Sequence, residues 1–301
     1  MSGISVFGVS NPSVTILDAG RYCASFALKK QVRVKATKSD SGVAADGVFK
    51  NIMEEAASNA MEFLGHEIGV ELGLEECDGG MPGASEAVAC ATVQAVAGLI
   101  AKRYGSISVL KIDQNLSRQF FIVDEKIIPL EGLLKASLAG ENSFARTASS
   151  FYGGYVICDG GEIARRGEME ECFAGVAITS KEIGIEFNDE DELYPVWQAA
   201  RRGEVYTAGR DFALICANDY SKKILGEMVS KDAIALTLDD GLITAWRRDD
   251  ASTLTEAGEK FGEVSNINIS NELSFVDEPS RSVWKMNKFT GYPGSKEFGM
   301  I

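Results

Sequence analysis

The run Asp78-Gly79-Gly80-Met81-Pro82-Gly83-Ala84-Ser85-Glu86 joins a glycine-rich turn to a long apolar stretch, Ala84 to about Arg103. A turn opening onto a helix presents unpaired N–H groups and the positive end of the helix dipole, which is phosphate-binding chemistry. Gly79, Gly80, Gly83 and Ser85 are therefore candidate phosphate-loop residues. Two neighbours oppose that role. Pro82 has no N–H to donate, and Glu86 puts a carboxylate where a polyphosphate would sit. At ~5 Å and an effective dielectric of about 20, each pair of like charges costs roughly 3 kcal/mol. Glu86 in a first helical turn also complements the dipole, worth ~0.3–1 kcal/mol.

Other reactive residues are sparse. Asp239-Asp240-Gly241 reads as a turn between strands, with a metal site shared with Asp78 as the sharper alternative. Arg146 reads either as an anion-binding group or as a solvated loop cation, and Arg21 and Lys29 as surface charges. His66 is the single histidine, which excludes any mechanism needing two; its place at the end of a helical pattern suggests a C-terminal capping residue. The six cysteines are Cys23, Cys77, Cys90, Cys158, Cys172 and Cys216. None forms a CxxC or a close Cys/His pair, so no zinc site is expected. Cys90 and Cys216 sit in apolar runs and read as core residues. A reducing, cytoplasmic setting fits this usage.

The elements that must position these groups come next. A chain of 301 residues, 45% hydrophobic and 25% charged, is long enough for one large domain or two packed lobes. Its net charge of −14 disfavours nucleic acid and anionic membrane surfaces as partners. No apolar run reaches the ~18 residues of a membrane span, and Met1 to Ser5 lacks the pattern of a signal peptide. Ile4 to Val9 and Cys23 to Thr37 read as strands, with Val32, Val34 and Ala36 alternating with Arg33 and Lys35. Asp46 to Leu64 reads as an amphipathic helix with Phe49, Ile52, Met53, Ala56, Ala60 and Phe63 along one stripe. Val70 to Leu74 gives a strand into the glycine-rich turn, and the almost charge-free helix after it should lie buried. Ile107 to Val123 reads as a hairpin turning near Asp113-Gln114-Asn115, and Leu130 to about Leu138 as a short helix. Tyr152 to Ile157 reads as a strand entered through glycines. Beyond it, strands and helices alternate: Gly175–Ile178, Glu192–Arg202, Val205–Ala217, Tyr220–Met228, Ala233–Trp246 and Leu254–Phe261. The pattern is α+β.

Three segments together resemble the GHMP small-molecule kinases, most closely the archaeal shikimate kinase branch. Thr15-Ile16-Leu17-Asp18-Ala19-Gly20-Arg21 leading to Phe26-Ala27-Leu28 is similar to that branch's opening motif. The turn and helix at 78–103 stand where the family has its Gly-Leu-Ser-Ser-Ser phosphate loop. Thr147-Ala148-Ser149-Ser150-Phe151-Tyr152-Gly153-Gly154 resembles the family's Asp-Asp-Ala-Thr-Ala-Ser-Tyr-Phe-Gly-Gly, and Arg165-Arg166-Gly167-Glu168-Met169 continues it. The resemblance spans roughly residues 4–270. It implies a two-lobed fold, an N-terminal ribosomal-S5-like lobe (1–165) with an extra hairpin and a C-terminal α/β lobe (166–278), followed by a tail (279–301).

Each functional motif of the family is altered here. Only Ser85 remains of the loop's serines. Ala145 and Arg146 occupy the positions of the catalytic aspartates, removing the base that orients a substrate hydroxyl. Leu236-Thr237-Leu238-Asp239-Asp240-Gly241 replaces a glycine-rich segment that wraps phosphates. Arg146 and Ser149, placed before the Tyr-Gly-Gly strand, also resemble an arginine and serine of the diphosphomevalonate decarboxylases. The resemblance thus implies a pseudokinase with no catalytic residues, cofactor or metal, acting as a subunit or scaffold in a protein assembly. The alternative is a divergent kinase for a small hydroxylated metabolite, using ATP on Gly79–Ser85 and magnesium on Asp239 or Asp78. A third reading is a metabolite-binding regulator. In the tail, Arg281, Lys285, Lys288 and Lys296 against Glu297 give +3. With Arg281, Trp284, Phe289 and Tyr292, the tail has hot-spot composition and is the expected contact for a partner protein or second subunit, unless it docks on its own acidic surface.

Overall fold

The computed structural model describes residues 4–111, 117–170, 173–186, 190–248, 250–277 and 282–285. The chain opens with β1 (Ser5–Ser10), β2 (Ser13–Ala19), β3 (Tyr22–Ala27), β4 (Val32–Lys38) and β5 (Val43–Ala45). Helix α1 (Lys50–Leu64), β6 (Val70–Glu76) and helix α2 (Ala84–Tyr104) follow. The middle holds β7 (Gly105–Lys111), β8 (Ser117–Val123), β9 (Lys126–Ile127), α3 (Leu130–Ala136), α4 (Phe144–Tyr152), β10 (Tyr155–Asp159) and β11 (Glu162–Gly167). The remainder is β12 (Phe173–Thr179), α5 (Glu190–Arg202), α6 (Val205–Cys216), α7 (Asp219–Ser230), β13 (Ala235–Asp239) and β14 (Leu242–Arg248). Helix α8 (Ser252–Gly258), β15 (Glu263–Asn268), β16 (Phe275–Val276) and β17 (Ser282–Lys285) complete it.

Among the described residues four sheets form, ordered β16-β1-β4-β6-β5, β11-β10-β3-β2, β13-β14-β12-β15 and β17-β7-β8-β9. The expected alternation of β4 is present: Val32, Val34 and Ala36 are buried while Arg33 and Lys35 reach outward. Helix α2 is buried along most of its length. By length and composition it could cross a membrane, which corrects the expectation that no segment could; 94% of its apolar window is buried inside the fold. Strand β1 lies on it so closely that a Cβ at Gly8 would overlap the Ala91 carbonyl.

Two apolar clusters share the β11-β10-β3-β2 sheet. In β10, Tyr155 and Ile157 face the cluster built with β12–β15 and α5–α8, while Val156 and Cys158 face the one containing α1, α2 and α4. Successive strand residues point to opposite faces, so one sheet serves both.

Local chemistry departs from expectation at three places. Gly65, at φ 70°, ends α1, and the His66 N–H donates to the Met61 carbonyl at 3.1 Å. His66 therefore follows the cap, stacked on Tyr104 with Nε2 2.8 Å from Asp124 Oδ2. Residues 144–152 form a helix, and the strand begins at Tyr155, because Gly153 and Gly154 both take positive φ and turn the chain between them. Phe63 is 40% exposed and covers Gly132 of α3. The 107–123 hairpin is β7–β8, with its turn outside the described residues.

Candidate functional site

Helix α4 carries Arg146 in its first turn, and the residues around it hold that turn firmly. Ser13 Oγ donates to the Arg146 carbonyl at 3.0 Å, Ser149 Oγ to the same oxygen at 3.1 Å, and Ser25 Oγ to the Ala145 carbonyl at 2.6 Å. Ser150 Oγ donates back to Ser13 Oγ at 3.1 Å. Low-propensity serines inside a helix are thus bonded to backbone and to the neighbouring strands.

From this base Arg146 reaches two carboxylates. Its Nε lies 2.9 Å from Glu86 Oε1, and its Nη1 lies 3.0 Å from Asp239 Oδ2. Glu86, in the first turn of α2, also accepts from Ser85 Oγ at 2.8 Å and from the Ser143 N–H at 3.3 Å. Asp239, at the end of β13, accepts from Thr15 Oγ1 at 2.7 Å. The Glu86 side chain is 2% exposed and those of Arg146 and Asp239 are 28% and 21% exposed. Burial opposes the charge on Arg146, but Glu86 and Asp239, with Asp18 farther off, outweigh it and raise the guanidinium pKa above its ordinary value. The cation is permanent at any working pH. Glu86 is therefore more than a partner for the helix dipole, and Arg146 is neither a loop residue nor fully solvated.

The glycine-rich turn lies beside this group. Gly83, at φ 70°, packs on the Ser13 backbone so tightly that a Cβ would overlap it. Two N–H groups are spent inside the turn, Met81 to the Asp78 carbonyl at 3.0 Å and Ala84 to the Met81 carbonyl at 3.2 Å. The Met81 side chain is buried in the cluster with Ile16 and Leu17. The Ser85 hydroxyl points its hydrogen at Glu86, and Gly79 and Gly80 border Phe49 and Asp78.

The other sequence candidates lie apart. Asp78 pairs with Lys30 at 3.0 Å, not with Asp239, and among the described residues no three potential ligands cluster. Asp240 and Lys29 are exposed, and Arg21 pairs with Asp159 at 2.5 Å. The Asp239–Gly241 turn joins β13 to β14, as expected. The backbone of Ser282–Lys285, which includes Trp284, pairs in parallel with β7. Arg281, Phe289 and Tyr292 lie outside the described residues. Sequence reasoning noted residues 86, 146 and 239 separately and did not see that they meet. The available signal was their charge: two acids and one base at three altered motifs.

No protein-family model and no curated protein sequence matches the chain. Solved structures do. A homoserine kinase from Cytophaga hutchinsonii is similar with a TM-score of 0.61 and 16% identity, over 92% of this chain and 98% of that one. The chain has the GHMP kinase fold. The mevalonate-3-kinase of Thermoplasma acidophilum, solved with mevalonate 3-phosphate and ADP, matches at TM-score 0.54 and 13% identity, over 92% of this chain and all of that one. Mevalonate diphosphate decarboxylase from Staphylococcus aureus matches at 0.55 and 11%, over 91% and 97%. At such identities the GHMP-type likeness speaks for the fold, and the chemistry must be argued from the residues.

Proposed function

We infer that this chain is a catalytically inactive protein of GHMP kinase fold, a pseudokinase that binds neither ATP nor magnesium and serves as a subunit or scaffold in a protein assembly. The single observation that carries the reading is Arg146 bridging Glu86 and Asp239. By resemblance to the shikimate kinase branch, these residues stand at the phosphate loop, the catalytic aspartate and the second phosphate-wrapping motif. An incoming triphosphate would meet two carboxylates already holding the Arg146 guanidinium, and freeing Arg146 would leave Glu86 buried and unpaired. Breaking such a pair costs about 3–5 kcal/mol, a large toll on any nucleotide affinity. The C-terminal tail and the β7–β8 hairpin supply the proposed contact surface, and a cytoplasmic setting suits the five free thiols among the described residues.

Calorimetric titration of the pure protein with magnesium-ATP tests the reading. The expected result is no heat of binding and no thermal stabilisation. Micromolar binding, or turnover of any hydroxylated metabolite, overturns it.

A divergent small-molecule kinase is the second reading, favoured by the neighbours whose names are kinases. It requires ATP at Gly79–Ser85, so Ser85→Ala would abolish nucleotide binding. Gly83 substitutions do not discriminate, because the clash with Ser13 damages the fold in either case.

A further inference from the structure

At the far end of α4 from Arg146, six residues or about 9 Å along the axis, Tyr152 sits among charges that the first site does not use. The Arg166 guanidinium, reaching from β11, lies 4.5 Å from the Tyr152 ring centroid. Arg118, from β8, is close enough to act on the Tyr152 hydroxyl electrostatically, as is Glu131 at the start of α3. Arg118 Nε is buried with no hydrogen-bond partner. Among the described residues, neither guanidinium pairs with a carboxylate and the Tyr152 hydroxyl makes no hydrogen bond. In a chain of net charge −14, the exposed Arg166 guanidinium lying over the Tyr152 ring and the buried, unpartnered Arg118 Nε make a local positive site with donors to spare. A buried donor left unmade is costly, and guanidinium donors match oxyanions in pairs.

We propose that Arg118, Arg166 and Tyr152 form a binding site for the oxyanion head of a small molecule, a phosphate monoester or a carboxylate. The two cations neutralise the head, and the Tyr152 hydroxyl donates a third hydrogen bond. The Glu131 charge acts on the same hydroxyl in the opposite sense and limits the net positive field. The site shares no residue with the loop at Asp78–Ser85 and does not depend on whether that loop is inactive.

The effect of occupancy on Tyr152 has a fixed sign. Burial raises its pKa above the usual 10; Glu131 adds to the rise, and Arg166 and Arg118 oppose it. A bound oxyanion cancels that opposition and accepts from the neutral hydroxyl, so its pKa climbs further.

The test uses the intact protein with inorganic phosphate or malonate, each compared with chloride at equal ionic strength. The readouts are melting temperature and the alkaline absorbance titration that Tyr152→Phe removes. Millimolar phosphate or malonate should raise both the melting temperature and the Tyr152 titration midpoint. Arg166→Gln, at an exposed position, and Arg118→Gln should each weaken the apparent affinity about tenfold. A larger effect of phosphate assigns a phosphate monoester; a larger effect of malonate assigns a carboxylate. No response to either anion overturns the site, as does a response undiminished in the Arg118→Gln/Arg166→Gln variant.

Discussion

Arg146 is the residue on which the two readings of this fold divide, and its energetics follow from its partners. Glu86 is enclosed, so removing the guanidinium strands a carboxylate without solvent. Arg146→Ala should cost about 3–5 kcal/mol in urea unfolding. Replacing Glu86 with Leu and Arg146 with Met together removes both charges and fills the space, and should recover most of that loss. Asp239 tolerates the change because it keeps Thr15 and is partly solvated. A double-mutant cycle on Glu86 and Arg146 should therefore show coupling of about 3 kcal/mol, the upper end for residues in contact. Additive single effects would mean that the bridge is incidental to the fold. The charges of these residues are visible in sequence; their meeting is not, because 60 and 93 residues of chain separate Arg146 from its partners.

Among the elements, α2 and β1 set the tolerance of the N-terminal half. The β1 backbone rests on α2 at Gly8, where a side chain has no room beside the Ala91 carbonyl and the Ala95 nitrogen. Gly8→Ala should push strand and helix apart and cost about 3 kcal/mol or more. Gly73, exposed in β6 with nothing within 4 Å of its would-be Cβ, is the matched control. Gly73→Ala should change stability by less than about 0.5 kcal/mol or raise it slightly. Equal losses in thermal unfolding would place the effect in glycine chemistry rather than in packing. The same elements explain what was legible beforehand. The burial of α2 follows from a run nearly free of charge, and the face of β4 from its period-2 pattern. Helix α4 was hidden because its Thr and Ser residues favour other structures locally. The tertiary partners Ser25 and Ser13 hold Ser149 and Ser150 in the helix. The C-terminal helices and strands were readable because each carries its own apolar periodicity and a turn at its end.

Across the whole molecule, the two cores both depend on thiols that stay neutral. Cys90 lies in the core around α2 and Cys216 in the core around α6, while Cys158 is on the sheet between the cores. Burial pushes Cys90 and Cys158 up to about 12 and Cys216 up to about 11. For Cys90 the Glu86 charge adds to the rise, against hydrogen bonds from Ser137 and Ser10. In the unfolded chain these thiols titrate from an ordinary value of 9.0. Below that pH both states hold the protons and the thiols are neutral to stability. Above it the unfolded state releases protons that the folded state keeps, so stability falls as pH rises toward the folded values. Each thiol contributes a loss of about 1.4 kcal/mol by one unit above its unfolded pKa. Urea unfolding at pH 8 and pH 10 should therefore show a drop that Cys90→Ala/Cys158→Ala/Cys216→Ala reduces by several kcal/mol, whatever its own baseline stability. Lysine and tyrosine titration acts alike on both proteins and cancels in the comparison. An identical alkaline drop in the two would mean that solvent reaches the thiols and that the cores open far more readily than their packing implies.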